Sequence, residues 1–171
     1  MTIYEPDDRL LLFLSGDGTD HNGRTYDDML AWTDTQIEQA HDSIQWMFPL
    51  HEVSGHFDGA PVVTEDDIED ALGDPSILQN LEASTKRMEQ FFAIGEWDNQ
   101  MLQGLWCRNR NHNLLRVTRI IRCLRLFGLD DIAKRFYDEV VYAAKRHGVS
   151  DTTLVFWRRA MEDDIWKSLK G

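Results

Sequence analysis

Nothing in this sequence reaches the length of a membrane span, because no apolar run approaches 18 residues. Only two cysteines are present, Cys107 and Cys123. Two are too few for a disulfide framework, so we read them as reduced thiols in a cytoplasmic setting. The N-terminal Met1–Asp8 stretch lacks the basic start and apolar middle of a signal peptide. Proline is scarce at four residues, and the loops that hold proline and glycine are too short to be domain linkers. Period-two alternation never persists, which excludes an evident sheet. The glycine patterns of a nucleophile elbow, a phosphate loop and a dinucleotide fold are all missing. Acid is missing too, but only locally: no Asp or Glu falls between Asn99 and Leu129.

What is present is a globular composition, with 42% hydrophobic and 28% charged residues over 171 positions. A chain of that size is large enough to bury a sizeable core, and we expect one domain over 1–171. The net charge of −12 opposes nucleic-acid binding, which needs a positive surface. The charge is uneven. Residues 1–74 carry 18 acidic groups against 2 basic ones, a net of −16, and residues 75–171 carry 12 against 16, a net of +4.

The local signals predict an all-α domain of about six to eight helices. Asp7-Asp8 can cap a short helix, Arg9–Leu14, that Gly16 stops. Ser15–Arg24 is a loop with a faint likeness to a calcium loop. Anchoring it on Gly23 puts Met29 where a glutamate is needed, so a plain turn is the better reading. Thr25 with Asp28, Thr33 with Gln36, and Thr64 with Asp67 form capping boxes. The second opens one helix through Ile37, His41, Gln45 and Phe48, ended by Pro49, with His41, Gln45 and Phe48 on one face. Asp74-Pro75 restarts a long helix toward Gly95. Glu96–Trp106 reads as irregular. A helix from Asp130 or Asp131 closes at Gly148, and a last one carries Leu154, Trp157, Met161, Ile165 and Leu169.

Between them lies a central basic and apolar helix, at about residues 108–127, capped by Gly128. It holds six arginines within the acid-free window: Arg108, Arg110, Arg116, Arg119, Arg122 and Arg125. At about 100° per residue, Leu114, Val117, Ile121 and Leu124 share one side. His112, Arg116, Arg119 and Cys123 line another, flanked by apolar residues, while Thr118, Arg122 and Arg125 form the exposed face. A helix apolar around most of its girth is buried. Its arginines then need partners: carboxylates of the acidic front half, or an anionic ligand in a cleft.

Two stretches resemble a known family. His41-Asp42-Ser43-Ile44-Gln45-Trp46-Met47-Phe48-Pro49 is similar to the (H/N)-x-Y-I-Q-W-L-F-P pattern of the opioid growth factor receptor conserved domain. His112-Asn113-Leu114-Leu115-Arg116-Val117-Thr118-Arg119-Ile120-Ile121 is similar to its H-N-x-L-R-I-T-R-I-L pattern. Ser43 stands for the usual tyrosine and Met47 for leucine. Gly23 to Trp32 and Phe127-Gly128-Leu129 match in order. The resemblance covers about residues 20–165 and implies a helical domain. In vertebrates the family name implies an enkephalin-binding growth regulator. The C-terminal repeats of the vertebrate receptor are missing here, which suggests a compact, microbial-like member.

The functional expectation joins the two stretches. If their helices pack together, His41, Gln45, Trp46, His112, Asn113, Arg116 and Arg119 form a ligand-binding set. Amide and guanidinium donors with aromatic walls suit a small anionic molecule or a short peptide. No catalytic residue is assigned and no cofactor is expected. Two alternatives stand beside this reading. One is an enzyme with a metal or haem held by His41, His51, His56 and His112. Glu38 with His41 makes one E-x-x-H step of the kind di-iron bundles use, but its counterpart before His112 has no acid. The other is a purely structural or interaction subunit, in which internal carboxylates pair Arg116 and Arg119.

Overall fold

The computed structural model describes residues 8–52 and 59–170. His56 lies outside the described residues. Among those described there are eleven α-helices, one 3₁₀ turn and no strand beyond two isolated bridges. The three capping boxes each form with both reciprocal hydrogen bonds. They open α2 (Tyr26–Leu30), α3 (Asp34–Gln39) and α5 (Glu65–Leu72). Gly16, at φ +92°, closes α1 (Arg9–Ser15) in the left-handed conformation glycine tolerates. Asp74 caps α6 (Pro75–Phe92) by accepting from the Ser76 amide, with Pro75 in the first turn. Gly148 ends α9 (Asp130–His147).

The all-α class holds, with more and shorter helices than the apolar spacing alone draws. Two runs are split. The helix expected through Phe48 ends at Gln39 and restarts as α4 (Ile44–Met47). The last run divides into α10 (Asp151–Glu162) and α11 (Ile165–Lys170). Glu96–Trp106 contains the 3₁₀ turn Gly95–Trp97 and the one-turn helix α7 (Gln100–Gln103).

The central helix α8 runs Asn113–Leu126, starting later than expected. Arg108–His112 form turns ahead of it, and the Asn111 side chain accepts from the Asn113 amide at 2.9 Å. Helices α9, α10 and α11 pack against α8, while α1, α2 and α5 gather on α6. Val117, Ile120, Ile121, Leu124 and Leu126 of α8 are fully buried, within the same hydrophobic cluster as Phe13, Phe92, Phe136 and Trp157. Each such side chain contributes about 1.5–3 kcal/mol by leaving water. Trp157 also donates its indole N–H to the Leu114 carbonyl at 3.1 Å, which pins α10 to the first turn of α8. No helix among the described residues is long and apolar enough to cross a membrane.

Candidate functional site

The polar stripe of α8 faces its own chain, and its partners are mostly backbone carbonyls. Asn113 Nδ2 donates to Glu38 Oε2 at 3.1 Å. One turn on, Arg116 donates to Asn113 Oδ1 at 3.3 Å, to the Ile37 carbonyl at 3.1 Å and to the Ala40 carbonyl at 3.0 Å. Arg119 Nε donates to the Phe48 carbonyl at 2.8 Å. Arg122 grips both oxygens of Glu52. Residues 37–52 therefore lie along α8 in the same direction, over about 14 Å of its axis at 1.5 Å per residue.

This row explains the break between α3 and α4. The last carbonyls of a helix have no partner within it. Arg116 supplies donors to two of them, so the chain leaves helical geometry at Ala40 (φ −82°, ψ 104°) without burying bare oxygens. Arg125 repeats the device on the other side of α8. It donates to the Ala160 carbonyl at 2.8 Å and the Asp163 carbonyl at 2.6 Å, where α10 ends. The sequence reading puts Thr118, Arg122 and Arg125 on an exposed face. In the structure all three are part-buried, because α10 and the Glu52 segment fold over that side.

Burial pulls the pKa of Arg116 down, opposed by the nearby Glu38 carboxylate. Burial does the same to Arg119, whose buried Nη2 has no hydrogen-bond partner among the described residues. Both remain cations at neutral pH, as a guanidinium does. The hydrogen bonds from Arg122 hold Glu52 below the usual carboxylate range. Burial also lowers His51, whose side chain is only 4% exposed. Burial pushes Cys107 up to about 12 and Cys123 higher still, so neither thiol is poised as a nucleophile.

The open part of the stripe is its start. His112 Nε2 lies 2.7 Å from Glu38 Oε1, and both side chains are nearly half exposed. The His41 ring is exposed and sits 6.0 Å from the His112 ring, edge-on at 76°. Leu115, one turn along α8 from His112, is 59% exposed. The neighbour of His41 is fixed from the other side. Arg24 bridges the fully buried Asp20 to Asp42, and Asp42 also takes His21 and Asn22 at 3.0 Å.

The model of the opioid growth factor receptor (OGFr) conserved region matches residues 12–166. The chain belongs to this family. It is 27% identical to the human opioid growth factor receptor over 157 aligned positions, which cover 82% of this chain and 23% of that protein. It is 27% identical to the mouse receptor, covering 87% of this chain and 28% of that one. It is 26% identical to opioid growth factor receptor-like protein 1 of Xenopus tropicalis, covering 75% and 27%. The chain thus spans about a quarter of the length of these curated relatives. No solved structure matches it.

In this OGFr family member, the two stretches that carry the resemblance do meet. Their meeting brings together His41, His112, Asn113 and Arg116, with Arg119 one turn beyond. It does not put His41, Gln45 and Phe48 on one helical face, since the helix breaks between them. Gln45 and Trp46 are buried in α4. The Trp46 ring turns toward Phe13 at 5.3 Å and stacks on His21 at 5.9 Å. Glu38 is the residue that sequence reasoning left out of the set. Its E-x-x-H spacing to His41 is visible, but that spacing suggests a metal step, whereas the carboxylate turns to His112 and Asn113. Among the described residues, no three His, Cys, Asp or Glu side chains are grouped to hold a metal. His51 lies beside Glu52, far along α8 from His41 and His112. A separate concavity of about 380 Å³ is lined by Ile94, Gly95, Asp98, Asp138, Glu139 and Tyr142.

Proposed function

We propose that this chain is a peptide-recognition module without catalysis of its own, and that it reads a short peptide at the face of Glu38, His41 and His112. The observation that carries this reading is the half-exposed Glu38–His112 pair, with His41 beside it and exposed Leu115 one turn away. Glu38 is an acceptor for a peptide ammonium. The imidazoles offer a donor or an acceptor to peptide amides, and Leu115 offers an apolar contact. A short peptide fits better than a small anionic molecule, because Arg116 is buried and turns three of its donors inward to Asn113, Ile37 and Ala40. Arg116 and Asn113 then support the face from beneath, and Arg119 holds the neighbouring turn. Curated relatives carry the name opioid growth factor receptor, so opioid-type peptides are the first probes.

Calorimetry with such peptides tests the reading. Binding should saturate, and it should weaken about tenfold or more, about 1.4 kcal/mol, with Glu38→Gln, with His112→Ala or on N-acetylation of the peptide. No measurable binding, or binding indifferent to all three changes, would overturn it. The rival enzyme, with metal or haem on His41, His51, His56 and His112, predicts stoichiometric metal or a haem absorption band in the purified protein.

A further inference from the structure

Away from that face, the segment between α7 and α8 turns apolar side chains to water while being held rigidly from below. Gln103 is fully buried. It donates to the Ala93 carbonyl at 2.8 Å and to Asp98 at 2.6 Å, and it accepts from Arg146 at 3.2 Å. Trp106 is buried, donates to the Phe92 carbonyl at 2.8 Å and packs on the Phe92 ring at 4.7 Å. Asn109 accepts from the Ser150 amide at 2.9 Å. Between these anchors, Met101 is 80% exposed, Leu105 66% and Leu102 45%.

Two exposed arginines follow them in the chain. Neither the Arg108 nor the Arg110 side chain has an ion pair or hydrogen bond among the described residues, unlike the four arginines within α8. Arg110 also sits at φ +67°, a left-handed conformation that favours glycine. The fold alone would place glycine there. An arginine held in that conformation without an internal hydrogen bond or ion pair among the described residues is a candidate for a contact outside the chain.

We propose that Met101, Leu102, Leu105, Arg108 and Arg110 form a docking surface for an acidic amphipathic segment of a partner protein. Charge complementarity selects that occupant. The surface lies in the window with no Asp or Glu, within a chain of net charge −12. An anionic bilayer or a second copy of this chain would bring extended negative charge against the rest of the molecule. At a Debye length of about 8 Å, a narrow acidic segment responds to the charges nearest it, where Arg108 and Arg110 are without an ion pair among the described residues and Asp98 is already paired with Arg146. Apolar contacts to the three exposed side chains supply affinity, and the arginines supply orientation and partner choice. The surface is small, so the complex is transient.

The test uses the full chain and a labelled synthetic helix of about 16 residues, rich in Glu, with Leu at helical i, i+3, i+4 spacing. Fluorescence anisotropy should give saturable binding. It should weaken about tenfold or more with Arg108→Glu combined with Arg110→Glu, with Met101→Ser combined with Leu105→Ser, and with fivefold higher salt. Arg110→Gly separates docking from folding: it should raise the unfolding temperature while weakening binding. A helix with the Glu residues replaced by Lys, or the Leu residues by Ser, should not compete. The proposal fails if the acidic helix does not bind, if the Lys version binds as well, or if Arg110→Gly leaves binding intact. It also fails if these residues instead mediate sedimentation with anionic vesicles or reversible self-association.

Discussion

Arg116 and Arg119 sit at low exposure, and among the described residues no carboxylate is hydrogen-bonded to either guanidinium. Their stabilisation comes from carbonyl oxygens at helix ends, where the partial negative charge of the helix dipole also favours a cation. Removing Arg116 would leave the Ile37 and Ala40 carbonyls and the Asn113 amide oxygen without their donor. Arg116→Ala should therefore cost about 2–4 kcal/mol in urea unfolding. Arg116→Lys should lose much of the same amount, because an ammonium cannot span three acceptors from one plane. His51 gives a pH signature. Burial lowers its pKa below the ordinary 6.5, so the unfolded chain binds the proton more readily than the folded one. Its contribution is present above the unfolded value and is lost as pH falls through the lowered folded value. Unfolding free energy measured between pH 7 and pH 5 should fall less steeply in His51→Gln than in the parent. The polar stripe of α8 was legible at this scale from spacing alone. Its partners were not, because a backbone carbonyl has no residue type to read, and carboxylates are the only partners a sequence displays.

The starts of α2, α3, α5, α6 and α7 are capped by their own local side chains, whereas the ends of α3 and α10 are not set locally. The reciprocal bonds of Thr25 with Asp28, Thr33 with Gln36 and Thr64 with Asp67 span three residues, so the sequence displays both halves of each. Thr33→Ala should cost about 1 kcal/mol of stability, read from chemical denaturation. The breaks after Gln39 and Glu162 depend on Arg116 and Arg125, which are more than 30 residues away, and no nearby residue announces them. The same limit hid the position of Trp46. Periodicity assigns Gln45 and Trp46 to a helix but cannot turn the Trp46 ring toward Phe13 and His21, which belong to α1 and the loop after it. Trp157 is the anchor between α10 and α8, wholly buried and bonded to the Leu114 carbonyl. Trp157→Ala should cost about 3–5 kcal/mol. Trp157→Phe should cost less, about 1–3 kcal/mol, for the lost hydrogen bond and smaller volume.

At the scale of the molecule, α8 is a post gripped on two sides. Through Arg125 and Trp157 it holds α10, and through Asn113, Arg116, Arg119 and Arg122 it holds the segment from Glu38 to Glu52. The family resemblance was legible because it rests on those two strips, and the structure gives a physical reason for their pairing: one strip carries the donors and the other the carbonyls. The proposed peptide face is the open end of that clamp, so its geometry depends on residues that need not touch the peptide. The most direct test is hydrogen exchange by mass spectrometry on the parent, Arg116→Ala and Arg119→Ala proteins. The clamp predicts that amide protection falls selectively across residues 33–48 in both variants, while α6 and α9 keep theirs. Unchanged protection across residues 33–48, or an equal loss throughout the chain, would contradict it.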